Sequence, residues 1–135
     1  MSTSTRTAQE AADSIGCAVA QIAKSLVFEE KGTGRLILVV ASGANRVDVR
    51  KVGAAMGRSL RQAKGDMVKE KTGFAIGGIP PVAHSKPLPT ILDRDLRQYE
   101  IIWAAAGTPH AVFQLTPDSL GSLTGGEWMD VREEK

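Results

Sequence analysis

The stretch Ile22–Ala41, IAKSLVFEEKGTGRLILVVA, decides the fold of this chain. Its first part, Ile22–Phe28, is typical of a strand, and its last part, Arg35–Ala41, of a strand buried on both faces. The four residues KGTG between them have the composition of a turn. Two such runs joined by a short glycine-rich turn predict a β-hairpin.

Helix and strand signals continue on both sides of this hairpin. Gly16 and Gly57 are expected to end helices, Asp48 to cap one, and Thr116-Pro117 to begin one. The predicted helices cover 7–15, 48–56, 63 or 64–71 and 116–123, and further strands cover 90–92, 101–106 and 111–115. Residues 131–135 are expected to be a frayed polar end. The order is not the regular strand–helix alternation of a doubly wound sheet, so we predict a mixed α/β (α+β) fold with hairpins and peripheral helices.

Length and composition indicate one domain over residues 1–135. The chain is 42% hydrophobic and 24% charged, which is ordinary for a soluble globular protein. Its apolar runs are too short to span a bilayer, and its start lacks the apolar segment of a secretory signal. Cys17 is the single cysteine, so no internal disulfide is expected. These features favour a cytoplasmic protein without a membrane partner.

Lys24 is a charge inside an apolar strand. Strand alternation places it on one face with Ile22, Leu26 and Phe28. It is either an edge residue whose stem reaches water, or a cation on the floor of a pocket, facing a phosphate or carbonyl.

A glycine- and proline-rich loop occupies Thr72–Pro89, with three glycines, four prolines and one histidine. It lacks the lysine and hydroxyl of a Walker loop, and Pro80-Pro81 prevents a helix from following Gly78. The loop is either a plain turn or a segment that offers backbone N–H groups to a ligand at close approach.

Basic residues concentrate between Arg46 and Lys64, where Asp48 is the single acid. They either form a solvated helix face or contact phosphates. The candidates for tRNA contact are Arg46, Arg50, Lys51, Arg58, Arg61 and Lys64.

No residue pattern indicates a standard catalytic class. His84 and His110 have no metal-ligand spacing, and no Gly-x-Ser-x-Gly elbow occurs. Cys17 is expected to be a core residue. Asp93 is expected to serve as a turn or cap residue or as one of two carboxylates with Asp95. No metal or organic cofactor is implied.

Five blocks resemble the YbaK/prolyl-tRNA-synthetase-associated domain family, in order and spacing, from about Ala8 to Val131. The blocks are AKSLVF (23–28), LILVVASG (36–43), TGFAIGGIPP (72–81), LPTILD (88–93) and AAG (105–107). The resemblance implies a curved, mostly antiparallel sheet with outer helices. It also implies hydrolysis of the ester of a mischarged aminoacyl-tRNA, with an aminoacyl-tRNA synthetase as a candidate partner.

The resemblance also implies site residues. Lys24 matches the family's key lysine, and Gly77–Pro81 matches the loop that lines its aminoacyl pocket. We expect Lys24 and Gly77 to be catalytic: N–H groups near Gly77 and Gly78 would hold the ester carbonyl, and Lys24 would anchor the terminal phosphate or orient the ester. The expected substrate-binding residues are Gly78, Ile79, Pro80, Pro81, His84 and Gly107.

Three positions depart from the cysteinyl-type members of this family. Ala105 stands where these have serine, Val112 near where an acid is common, and Val82-Ala83-His84 where a glycine is common. The expected substrate is therefore tRNA(Pro) or a related tRNA carrying alanine, serine or another small residue. A catalytically inactive module that binds aminoacyl-tRNA, a nucleotide or a protein is the alternative, and an esterase for non-tRNA substrates is a third interpretation.

Overall fold

The computed structural model of the protein describes residues 8–63, 89–105 and 112–133. Its centre is an antiparallel hairpin in which β1 (Ile22–Glu30) and β2 (Leu36–Ser42) form seven residue pairs. Gly32 and Gly34 in the connecting turn have φ values of 93° and 73°, which glycine adopts without steric cost. The predicted hairpin is confirmed.

A mixed sheet is built outward from this hairpin. Five more strands lie in the described ranges: β3 (Leu60–Gln62), β4 (Thr90–Asp93), β5 (Ile102–Ala105), β6 (Val112–Leu115) and β7 (Glu127–Met129). The order is β6-β5-β1-β2-β4-β7, and β3 pairs with the far end of β1. The β1–β2, β1–β3 and β5–β6 pairs are antiparallel, and the β1–β5, β2–β4 and β4–β7 pairs are parallel. The predicted mixed α and β fold is confirmed.

Three short helices, α1 (Ala8–Ile15), α2 (Val49–Met56) and α3 (Pro117–Thr124), lie in the described ranges. The α2 helix begins at Asp48, whose carboxylate accepts a hydrogen bond from the Lys51 amide at 3.1 Å, and the Thr116 hydroxyl caps α3 in the same way. These caps satisfy amides that a helix start leaves unpaired, as the sequence predicted. No helix in these ranges is long and apolar enough to cross a membrane.

Both faces of the sheet are buried. Leu38 and Val40 of β2 point to one face, where they pack with Leu120 of α3. Ile37 and Val39 point to the other face, where they pack with Val52 of α2. Since β2 contacts a core on each side, each of its faces needs apolar side chains, and its sequence is therefore apolar without interruption.

The prediction of a frayed end is wrong for residues 131–133. Val131 is fully buried, and its carbonyl accepts a hydrogen bond from the Asp48 amide at 2.7 Å. Arg132 pairs with Val47 in an isolated bridge, so the tail closes over α2. Strands β3 and β7 were also not predicted. The predicted helix 63 or 64–71 lies outside the described residues apart from Ala63, which follows β3.

Replacing the buried tail residue tests this correction. Val131→Ala removes two methyl groups from a closed core, so we expect it to lower the free energy of unfolding by about 2 kcal/mol. Urea unfolding measures this, with Val49→Ala, at a half-buried site on the same core cluster, as the milder control. A change of less than about 0.5 kcal/mol, typical of surface positions, would mean that the tail does not close the core.

Candidate functional site

Lys24 projects from β1 on the face that carries Leu26 and Phe28, as strand alternation predicted. It is half-buried, and its ammonium donates a hydrogen bond to the main-chain carbonyl of Asn45 at 2.6 Å. Burial lowers the pKa of Lys24, while the negative charge of Asp93 acts to raise it and the positive charge of Arg46 acts to lower it. The lysine is thus held in place by a neutral acceptor, and no carboxylate of the described residues forms a salt bridge with it.

The carboxylate of Asp93 lies close behind this contact and is fully buried. One of its oxygens accepts hydrogen bonds from the Ser42 amide at 3.0 Å and from the Asn45 side-chain amide at 2.8 Å. The other accepts from the Asp95 amide at 2.9 Å, so Asp93 caps the 3-10 helix Arg94–Gln98. The cap interpretation of Asp93 is confirmed, and the link to Asn45 is a connection that sequence reasoning missed.

The turn after β2 is held at several points. The Ser42 hydroxyl donates to the Ala20 carbonyl at 2.8 Å, and the Gly43 amide donates to the Ile22 carbonyl at 2.7 Å. The Asn45 amide donates to the Ser42 carbonyl at 2.9 Å. These bonds tie residues 42–45 to the start of β1, the strand that carries Lys24.

A pocket of about 350 Å³ opens beside Lys24. It lies along the edge of β1 between the residues that pair with β5 (Ile22 and Ala23) and those that pair with β3 (Phe28–Glu30). Its lining in the described part of the chain mixes apolar residues, among them Leu26 and Phe28, with polar ones, and the charged ones are Lys24, Arg46 and Glu133. The pocket can therefore surround a small apolar group while presenting cations to an anion or a carbonyl.

Two of the three positions that depart from cysteinyl-type sequences are adjacent in the sheet. Ala105 pairs with Val112 across β5 and β6. Ala104, the residue before Ala105, pairs with Ala23, the residue before Lys24, in the parallel β1–β5 ladder. Ala105 and Lys24 are therefore the residues that follow the last pair of this ladder on the two strands.

Most of the described basic residues have acidic partners from elsewhere in the chain. The Arg58 guanidinium contacts Glu30 at 2.9 Å, and that of Arg61 contacts Glu29 at 2.7 Å. Lys51 contacts Asp130 at 3.1 Å, and the Lys51 ammonium is a source of the lowered pKa of Asp130.

Arg46, Arg50 and Arg61 are the exposed members of this set, and the Arg61 guanidinium is occupied by Glu29. The Arg46 side chain is 87% exposed and lies 3.9 Å from Glu133, and Arg50 lies on the outer surface of α2. These two arginines are more available to a phosphate than Lys51, Arg58 and Arg61.

Several predicted residues lie outside the described part of the chain and stay predictions. They are Lys64, Gly77, Gly78, Ile79, Pro80, Pro81, His84, Gly107 and His110. Cys17 packs half-buried against α1, and burial raises its pKa, in agreement with a core residue. Among the described residues, no group of three or more His, Cys, Asp or Glu side chains could hold a metal ion.

Comparison with known proteins places this geometry in a family. The model of the aminoacyl-tRNA editing domain matches residues 2–123. The uncharacterized protein YwhH of Bacillus subtilis is 33% identical over 96% of this chain and 82% of its own length. EbsC of Enterococcus faecalis, named as a candidate Cys-tRNA(Pro)/Cys-tRNA(Cys) deacylase, is 29% identical over 92% of this chain and 76% of its own length.

A solved structure agrees with the sequence comparisons. It is described as a candidate trans-editing enzyme for prolyl-tRNA synthetase, is 50% identical, and superimposes with a TM-score of 0.90. The match covers 99% of this chain and 84% of that one. The chain belongs to the aminoacyl-tRNA editing domain family, the YbaK family that its sequence blocks resemble.

Proposed function

We propose that this protein hydrolyses the ester that joins a wrong amino acid to the 3′-terminal ribose of a tRNA. The observation that carries the proposal is the half-buried Lys24 ammonium, fixed by a 2.6 Å hydrogen bond at the wall of a small pocket, in a chain of the editing family. An aminoacyl ester is already activated, so a site of this kind needs positioning and charge stabilisation more than a catalytic triad.

The reaction uses one water molecule. Its oxygen attacks the ester carbonyl carbon, the carbonyl oxygen gains negative charge, and the bond to the ribose oxygen then breaks. That oxygen takes a proton, which leaves free amino acid and a tRNA 3′ end. Lys24 orients the ester or anchors the terminal phosphate, and the N–H groups near Gly77 and Gly78 stabilise the carbonyl oxygen.

The substrate that we propose is tRNA(Pro), or a related tRNA, carrying a small amino acid. Support comes from the relative named for Cys-tRNA(Pro) and from the structure described as an editing enzyme for prolyl-tRNA synthetase. Alanine at 105 and valine at 112, instead of serine and an acid, favour alanine or another small residue over cysteine. We further propose that His84 and Gly107 line this pocket with Ile79, Pro80 and Pro81.

The tRNA itself would be held mainly by Arg46 and Arg50. Both are exposed, and Arg46 lies at the pocket beside Lys24. Phosphate contacts release counterions, so they add affinity at low salt without sequence preference.

Loss of the Lys24 ammonium tests the catalytic role. We expect Lys24→Ala to lower the deacylation rate by about 100-fold or more, the usual effect of removing one transition-state donor. The assay measures amino acid released from tRNA(Pro), tRNA(Ala) and tRNA(Thr) charged with alanine, serine, cysteine or proline. The matched control is Lys31→Ala, at an exposed lysine in the β1–β2 turn.

Each outcome of this assay has a defined meaning. Full activity of the folded Lys24→Ala variant would remove Lys24 from the mechanism. No hydrolysis of any species by the wild type would favour the binding-module interpretation, which the changes at 105 and 112 suggest. Hydrolysis of a free amino acid ester that uncharged tRNA fails to inhibit would point to a non-tRNA ester as the substrate.

Salt dependence tests the tRNA contacts. We expect the double variant Arg46→Gln/Arg50→Gln to lower kcat/KM at low salt and to reduce the slope of log(kcat/KM) against log[salt] by about 1 to 2. Arg61→Gln is the matched control, because its guanidinium is occupied by Glu29 at 2.7 Å. Equal slopes for the double variant and the wild type would show that the tRNA binds elsewhere.

A further inference from the structure

Asn45 contacts Lys24 through its main chain and the two acids Asp93 and Asp95 through its side chain. Its main-chain carbonyl accepts the Lys24 ammonium at 2.6 Å. Its side-chain amide donates to Asp93 and to Asp95, each at 2.8 Å. Asn45 thus joins Lys24 to these carboxylates, and it is not part of the pocket lining.

We infer that Asn45 is a positioning residue for Lys24: its side-chain amide bridges Asp93 and Asp95, and this bridge fixes the carbonyl that holds the Lys24 ammonium. The inference rests on the proposed function and deepens it, since it identifies the residue that orients the Lys24 side chain.

The side chain of Asn45 is suited to this bridge by its two N–H donors. Asp93 and Asp95 are acids two residues apart whose carboxylates point toward the same amide. A neutral amide satisfies both acceptors without adding charge, whereas an aspartate there would add a third negative charge and remove both donors.

Other bonds also restrain the main chain around the Asn45 carbonyl. The Arg46 carbonyl accepts a hydrogen bond from the Glu133 amide at 2.8 Å, and the Asn45 amide is held by Ser42 within the turn itself. Those bonds reach residue 133 and the turn, whereas the side-chain bridge ties Asn45 to Asp93 at the end of β4 and to Asp95.

Removal of the amide tests the inference. We expect Asn45→Ala to lower kcat roughly 10- to 100-fold with little change in KM, because the Lys24 ammonium stays present but is no longer held in one position. The matched control is Gln98→Ala, which removes another side-chain amide from Asp95, at 3.4 Å, without touching Asp93 or Lys24. In the Lys24→Ala background, Asn45→Ala should have no further effect on kcat, since the two residues act as a unit. A purely structural role would instead give additive losses.

A second readout does not need activity. The ¹⁵N signal of the Lys24 ammonium should be visible by NMR in the wild type and in Gln98→Ala, because a half-buried, hydrogen-bonded ammonium exchanges its protons slowly. It should disappear in Asn45→Ala. Where Asn45→Ala lowers Tm strongly, Asn45→Leu, which is close in size, removes the donors without adding charge and should lose the same signal.

The proposed hydrolysis and the proposed role of Asn45 can each be contradicted without the other. If the wild type hydrolyses no aminoacyl-tRNA, the proposed function falls, and the NMR signal still decides whether Asn45 holds Lys24. If Asn45→Ala retains both the Lys24 signal and kcat, or lowers kcat equally with and without Lys24, the inference is overturned.

Discussion

The rest of the site depends on one constraint, the burial of the Asp93 carboxylate. A fully buried carboxylate is very costly unless each oxygen finds donors, and Asp93 takes them from Ser42, Asn45 and Asp95. Those donors belong to the end of β2, the turn after it and the start of a 3-10 helix, so satisfying one charge fixes three segments together. The Asn45 carbonyl that meets Lys24 belongs to this network, so an interaction that stabilises the fold also sets the geometry of the proposed catalytic lysine.

The distribution of charges separates fold-stabilising residues from those available to a ligand. Glu29 and Glu30 of β1 pair with Arg61 and Arg58, which join β3 and the end of α2 to the hairpin. These partners are about thirty positions apart in the chain, so counting charges within the basic stretch could not find them. Once these pairs are made, Arg46 is the exposed cation in the described lining of the pocket, at 3.9 Å from Glu133.

Local signals predicted the elements whose formation depends on neighbouring residues. These elements are the hairpin, the helix caps at Asp48 and Thr116, and the helix end at Gly57, and all are confirmed. The hydrogen bonds of turns and caps join residues that are close in the sequence, so local patterns can predict them. Strands β3 and β7 have three residues each and exist only through pairing with β1 and β4, which no local pattern encodes. In the site, alternation identified the face of Lys24, while the Asn45 bridge, with partners 48 and 50 positions away, depends on tertiary packing.

The residues near Lys24 also bear on which amino acid the proposed reaction would remove. Ala105 and Val112 pair with each other, and Ala105 lies one position beyond the last residue of β5 that pairs with β1. Where cysteinyl-type relatives have a hydroxyl and an acid, this chain has a methyl and an isopropyl group. A site that hydrogen-bonds a polar side chain can reject its apolar analogue strongly, but an apolar wall separates substrates only by size, at about 1–3 kcal/mol per methylene. Under the proposed function, side chains of this kind would separate amino acids by size, which favours removal of a small residue such as alanine over selection of a thiol.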